Sequence, residues 1–279
     1  MVLTKARANV AVVATTFVGF ALHADVLPNR LLLFHTLAGT SLLAGSASVS
    51  NQAKEQQFDR KMVRTRNRPI AAGRLRPRTG MWLSGLLCGT GCLWLAAGVN
   101  VHAMVFAALA FLVYVSLYTP MKRLTPACTL VGAISGALPL LIGWAATGAA
   151  FGLWTSVAFA ILFLWQMPHF LAIAWWRRED YLGAGYRVLC PRDHHGHRTA
   201  GWALASTLAV LAVSLVPAFA NQVAAWYWPG ALAAGIMFST FALRFLARRN
   251  GTAARSLFLA SLYYLPTVYA LMLLCRVRS

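Results

Sequence analysis

Apolar residues run along this chain in long blocks, and the polar residues that interrupt them fall in a few short windows. Blocks of membrane-crossing length recur at roughly 8–24, 31–49, 80–99, 102–118, 128–147, 151–176, 201–219, 223–243 and 256–275. A helix of about 20 apolar residues spans ~30 Å of hydrocarbon, and a chain in hydrocarbon has to satisfy its backbone internally. The pattern therefore predicts an all-α fold, a polytopic membrane protein built as a bundle of nine transmembrane helices. Nine such helices use up most of the 279 residues, so 1–279 reads as a single intramembrane domain with no room for a soluble one. Of the odd-numbered connections, Asn100-Val101, Gly148 to Phe151 and Ala220 to Gln222 are tiny, whereas the even-numbered ones are longer and polar.

Composition agrees with this pattern: 59% hydrophobic and 11% charged residues belong to the integral-membrane class. A net charge of +19 would by itself suit a nucleic-acid partner. Its placement excludes that. With nine spans, 22 of the 25 Lys and Arg residues fall on one side, leaving Arg30, Arg276 and Arg278 on the other. Cytoplasmic loops carry the Lys/Arg excess, so the N-terminus is expected inside, the C-terminus outside and the polar chemistry at the cytoplasmic face of a cell (inner) membrane. The first block lacks a small-residue cleavage site and reads as a span rather than a signal peptide. The cysteines at 88, 92, 128, 190 and 275 form no CxxC pair and read as small buried residues.

Five of the six acids lie in two windows, 51–69 and 165–198. The first reads NQAKEQQFDRKMVRTRNRP. Asn51, Glu55 and Asp59 are spaced four apart, which on a helix puts them within an arc of roughly 80° with ~6 Å of rise between neighbours. Three oxygen-bearing side chains on one stripe suit Mg²⁺, which takes oxygen ligands and shares its shell with substrate phosphates. Arg64, Arg66 and Arg68 follow, with forks that match phosphate oxygens, and Pro69 is expected to end the helix. The competing reading is a positive-inside loop whose acids pair with Lys54, Arg60 and Lys61. Carboxylates at a membrane edge are costly, and the helix before them offers small residues (Gly45, Ser46, Ser48, Ser50), which together favour a metal–diphosphate site.

This window resembles the first acidic motif of the intramembrane UbiA-type prenyltransferases. Within that superfamily, its NxxxExxxDxxMxRTxxRP form is similar to the heme O synthase branch. YTPMKRLT at 118–125 with GWAATG at 143–148, and LWQMPHF at 164–170 with EDYLGAG at 179–185, resemble two further stretches of that branch, and LTKAR at 3–7 resembles its opening. The sequence departs from the family at Cys128, where asparagine is usual, and at VLCPRDHHGHRT (188–199), which replaces its MLPVVxG run. The resemblance implies transfer of a farnesyl group from farnesyl diphosphate to a vinyl group of protoheme IX (heme b), assisted by Mg²⁺. It also points to a heme A synthase or terminal-oxidase assembly as a partner, beside the lipid bilayer. A prenyltransferase acting on a quinone precursor or chlorin is the alternative. A cation transporter is the alternative of another class; acids confined to the inner edge argue against it, because a conducting path needs polar groups through the midplane.

The remaining candidates follow from position. Lys122 and Arg123, after the fourth span, read either as part of the diphosphate clamp with Arg64 and Arg68 or as a positive-inside flank. Tyr118 reads as a donor capping that pocket or as an interfacial aromatic. Asp180, beside Glu179, reads as a ligand for a second cation or as half of a local salt bridge; Tyr181 joins Tyr118 and His169 as candidate contacts to the substrates. His169 follows Pro168, where a helix break is expected. It reads as a ligand orienting heme iron or as a hydrogen-bond partner of a neighbouring helix. His194, His195 and His197 read as a solvated loop, and His35 lies about 24 Å along the helix from Asn51.

Overall fold

The computed structural model describes residues 3, 6–23, 29–186 and 193–277. Lys5, Asp25, Arg187, Cys190, Arg192 and Arg278, with the first part of the 188–199 run, lie outside them. The elements are α1 (Ala6–Ala21), α2 (Arg30–Lys61), α3 (Pro77–Gly98), α4 (Val101–Leu112), a π-helical turn (Val113–Tyr118), α5 (Thr119–Met121), α6 (Cys128–Thr147), α7 (Leu153–Trp176), α8 (Arg178–Ala184), α9 (His197–Phe219), α10 (Tyr227–Arg248) and α11 (Gly251–Cys275). Among the described residues the β structure is one isolated bridge, Val223 to Arg276. The chain is thus all-α, and among the described residues 8 helices are long and apolar enough to cross a membrane: α2, α3, α4 through α5, α6, α7, α9, α10 and α11. The first expected span is shorter. Helix α1 has 16 residues; it stops at Ala21, and the His23 ring bonds back to the Gly19 carbonyl at 2.8 Å.

Two compact units form, Met1–Ala150 with Asp180–Arg187, and Phe151–Glu179 with Val188–Ser279. In the first, α2 packs on α3, and α6 packs on both α1 and α4. The α1–α6 crossing brings two backbones together: a Cβ on Gly19 would sit 2.0 Å from the Leu140 carbonyl oxygen, and one on Gly143 2.0 Å from that of Thr16. Without a hydrophobic force between helices in lipid, close approach at small residues is what holds such a pair. Gly143→Val is therefore expected to destabilise this unit by ~1–3 kcal/mol or more, whereas Gly89→Ala, with nothing within 4 Å of its Cβ position, should be neutral; thermal unfolding in lipid nanodiscs reads both. Between α2 and α3 the glue is polar: Ser46 Oγ donates to the Ser84 carbonyl at 2.6 Å, and Ser84 Oγ returns a bond to the Ser46 carbonyl at 3.0 Å.

In the second unit α7 and α10 each pack against both α9 and α11. Buried tyrosines tie these helices through backbone carbonyls, Tyr227 donating to Ser214 at 2.8 Å and Tyr269 to Ala158 at 2.9 Å. Pro168 does not break its helix: α7 runs unbroken from Leu153 to Trp176. Proline forfeits one hydrogen bond there, to the Leu164 carbonyl, and packing against α9 and α11 holds the helix through it.

Candidate functional site

Helix α2 carries the site because its polar stripe stays buried after the apolar run ends. Asn51 is 0% exposed, and Glu55 and Asp59 are each 2% exposed. Burying two carboxylates is tolerable only if each is paired, and each is. Lys122 Nζ lies 3.0 Å and 3.1 Å from the two Glu55 oxygens. Arg68 Nη1 lies 2.8 Å from both oxygens of Asp59. Asn51 Nδ2 donates to Glu55 Oε2 at 2.7 Å and to Thr119 Oγ1 at 3.3 Å. The spacing of four predicted from the sequence thus makes one connected stripe. Among the described residues its acids pair with the distant cations Lys122 and Arg68. Lys54 donates to the Val115 carbonyl at 3.1 Å and Arg60 to that of Ala71 at 3.0 Å.

Arg68 reaches Asp59 because α2 stops at Lys61, eight residues earlier than Pro69 suggested. Tight turns then fold the chain back: Thr65 Oγ1 donates to the Asp59 carbonyl at 2.9 Å and Arg68 N to the Thr65 carbonyl at 2.9 Å. Ile70 and Ala71 bury beneath them at 1% and 6% exposure. Lys122 arrives from α4 through the π turn. Pro120 has no N–H to donate four residues back, and the wide turn absorbs that loss, with Thr119 N and Thr119 Oγ1 both donating to the Tyr114 carbonyl. Wide turns of this kind recur at functional sites. Here the turn lines up Tyr114, Tyr118 and Lys122: the two rings lie 5.3 Å apart, and Lys122 Nζ sits 4.5 Å from the Tyr118 ring centre. Gly132 makes room, since a Cβ there would lie 2.8 Å from the Tyr118 ring.

Burial disfavours the Lys122 ammonium, but Tyr118 and Glu55 outweigh it and hold its pKa well above the ordinary lysine value. A raised lysine pKa stabilises the fold at every pH below the ordinary value, and the contribution is lost only as pH rises through the raised one. Lys122 therefore keeps its charge across the neutral range. Tyr186, absent from the sequence reading, also belongs to the site. Its phenol donates to Glu55, and burial first, then the Glu55 charge, push its pKa up. It packs with Met62 and Ala184, with Phe58 and Tyr181 against the same cluster. Tyr114 could have been found from its spacing of four and eight from Tyr118 and Lys122; nothing in the residues around Tyr186 marks it.

Other expected members are not brought in. Arg64 is exposed. Arg123 spends its guanidinium on the Lys54 carbonyl at 2.8 Å and the Phe58 ring at 4.1 Å. Asp180 is half-buried and Glu179 exposed, and among the described residues no group of three or more His, Cys, Asp or Glu side chains gathers where a metal could sit. A metal would then rely on Glu55, Asp59, the Asn51 amide oxygen and oxygens of a bound anion. That set is all oxygen, and it fits Mg²⁺.

In the second unit, His169 Nδ1 lies 2.8 Å from Ser261 Oγ, and Ser261 Oγ gives its own proton to the Phe258 carbonyl at 2.6 Å. The hydroxyl therefore accepts from the ring, which puts the imidazole proton on Nδ1 and leaves a lone pair on Nε2. Trp165 stacks on the ring at 4.8 Å and Phe258 lies 5.0 Å from it. Of the two readings for His169, the bond to a neighbouring helix is present, and it orients the other nitrogen as a ligand or acceptor. His194 and His195 occupy an exposed turn before α9, and His197 faces Arg249 at 3.5 Å. Asp193 secures that turn, accepting from Gly196 N at 3.0 Å and Thr199 N at 2.7 Å. Partial burial pushes its pKa up, and these bonds more than offset that, leaving it below the ordinary value.

A family model, described as the UbiA prenyltransferase family, matches residues 12–265. A protein named protoheme IX farnesyltransferase from Solibacter usitatus is 38% identical, covering 98% of this chain and 97% of its own. One of the same name from Myxococcus xanthus is 36% identical over 99% and 93%. Among solved structures, one concerned with digeranylgeranylglyceryl phosphate synthase superposes with a TM-score of 0.83 at 15% identity, covering 98% of this chain and 96% of that one. A UbiA homologue from Archaeoglobus fulgidus bound to GPP and Mg²⁺ gives 0.73 at 13% identity, over 97% and 98%. At these identities the structures speak to the fold.

Proposed function

Because the chain belongs to the UbiA prenyltransferase family, we propose that it transfers a farnesyl group from farnesyl diphosphate to a vinyl group of protoheme IX, acting as one domain across 1–279. The observation that carries this reading is the buried quartet of Glu55, Asp59, Lys122 and Arg68, in a chain whose whole length aligns with relatives bearing the protoheme IX farnesyltransferase name. Asn51, Glu55 and Asp59 would hold Mg²⁺, which when bound supplies positive charge to the diphosphate as it departs. Lys122 and Arg68 bind the diphosphate oxygens and stabilise the charge that develops on them. The allylic C–O bond breaks with its electron pair going to the diphosphate. The vinyl π pair then forms a bond to the farnesyl C1, and water adds to the resulting cation and loses a proton, giving a hydroxyethylfarnesyl substituent. The Tyr114 and Tyr118 rings present π faces that suit a passing cation. His169, with Nε2 presented by Ser261, would ligate heme iron and set the porphyrin's orientation.

With the positive-inside count, the quartet belongs at the cytoplasmic face, the N-terminus inside. Expression in bacterial membranes followed by heme extraction tests the activity: a farnesylated heme is expected, and unmodified heme from well-expressed protein would contradict it. Within the clamp, Arg68→Lys is expected to lower activity by at least ~10-fold, because lysine loses the fork, while Arg64→Lys stays near wild type. Equal loss at both positions would enlarge the clamp to include Arg64.

A further inference from the structure

We propose that the quartet is an exchange site, in which Glu55 and Asp59 stay bound to Lys122 and Arg68 until a divalent cation and a diphosphate arrive together, so that neither ligand binds well without the other. This rests on the prenyltransferase reading and adds to it how the two ligands depend on each other.

The geometry sets one side-chain cation across both oxygens of each carboxylate. Both Glu55 oxygens lie 3.0–3.1 Å from Lys122 Nζ, and both Asp59 oxygens lie 2.8 Å from Arg68 Nη1. The carboxylate side chains are 3% exposed, and those of Lys122 and Arg68 only 13% and 17%, so water screens these charges poorly. Two negative and two positive charges leave the quartet neutral. A divalent cation alone, approaching Glu55 or Asp59, meets a fixed positive charge already in contact with its ligand atoms. Displacing that charge strands a buried ammonium or guanidinium. A diphosphate alone meets the converse, since claiming Lys122 and Arg68 strands two buried carboxylates.

Arriving together, the ligands remove both penalties. The carboxylates turn from nitrogen to metal, the cations turn from carboxylate to phosphate oxygen, and no charge loses a partner. Lys122 stays in place through the swap because the Tyr118 ring holds it independently of Glu55, 4.5 Å from the ring centre. Arg68 stays because the turns that position it bond to the backbone at Met62 and Thr65. The consequence is selective: free metal ions and free phosphates, abundant in cytoplasm, are each refused singly. Reciprocity requires the metal to raise diphosphate affinity by the same factor that the diphosphate raises metal affinity.

The test uses the full chain in lipid nanodiscs, with Mn²⁺ as the metal probe, followed by the EPR signal of free Mn²⁺, and inorganic pyrophosphate as the anion. In wild type, pyrophosphate is expected to tighten Mn²⁺ binding by at least ~10-fold, after allowance for the manganese–pyrophosphate complex in solution. In Lys122→Gln and Arg68→Gln, Mn²⁺ alone is expected to bind about 10-fold tighter than to wild type, because a carboxylate has lost its competitor. Pyrophosphate should then add little. Lys54→Gln serves as the control for general charge, since Lys54 donates to a backbone carbonyl, and it should leave Mn²⁺ affinity unchanged. Independent binding of the two ligands to wild type, an arm that needs no variant, would overturn the exchange. So would folded Lys122→Gln and Arg68→Gln proteins that bind Mn²⁺ no tighter. Wild type that binds neither probe, singly or together, would overturn the prenyltransferase reading of this site as well.

Discussion

Replacing Glu55 by Gln, or Asp59 by Asn, is expected to lower prenyl transfer by roughly 10²–10³-fold or more, the scale on which removing one preorganised electrostatic group acts. Each change keeps the shape of the side chain and removes one of the two anionic donors proposed for the metal, from a stripe where they are 2% exposed. It also leaves Lys122 or Arg68 buried beside a neutral amide, and breaking one side of a buried ion pair costs ~3–5 kcal/mol. Activity and stability should therefore fall together in the single variants. The double variant Glu55→Gln/Lys122→Met separates the two effects, since it removes both charges. Its melting temperature should return towards wild type while transfer stays lost. A double variant that regains transfer would make the pair a structural clamp and nothing more.

The second large effect is expected at His169. His169→Ala should reduce heme prenylation by roughly 100-fold, the cost of misplacing a reacting group, and abolish the absorbance change seen when heme is added to wild type. Binding of farnesyl diphosphate should stay within a few-fold, because the donor contacts proposed for Asn51, Glu55, Asp59, Lys122 and Arg68 do not call on this imidazole. Ser261→Ala carries the finer point. It frees the ring to change tautomer, so heme affinity should drop by about 10-fold, the low end of what outer partners of a metal ligand contribute, and Ser261→Thr should restore it. Loss of donor binding in His169→Ala would instead place this histidine in helix packing. Heme spectra that do not change in either variant would move the search to Tyr181 and the histidines at 194–197.

The fold and the site were legible in the sequence to different depths. The spans were legible because hydrocarbon demands long apolar runs, and the spacing of Asn51, Glu55 and Asp59 because a helix repeats its face. What closes the site was less so. Arg68 reaches Asp59 only because the helix ends at Lys61 and turns back, a path set by backbone bonds that no periodicity reports. Of the three arginines in that stretch, spacing alone could not single out Arg68. Lys122 is placed by the π turn before Pro120, and Tyr186 by a segment 131 residues beyond Glu55 in sequence. The expected break at Pro168 failed for a similar reason: neighbouring helices decide whether one lost hydrogen bond ends a helix. Helix α1 begins at Ala6, ahead of the apolar block at 8–24, and ends at Ala21, and the apolar residue Leu22 follows the point where the helix closes.

The most direct measurement is turnover by purified protein in nanodiscs supplied with labelled farnesyl diphosphate, heme b and Mg²⁺. The account predicts label in a heme carrying a hydroxyethylfarnesyl group, one pyrophosphate released for each group transferred, and no product once the metal is chelated. Heme recovered unmodified while label passes to an aromatic quinone precursor, or product that forms equally well without a divalent cation, would contradict it.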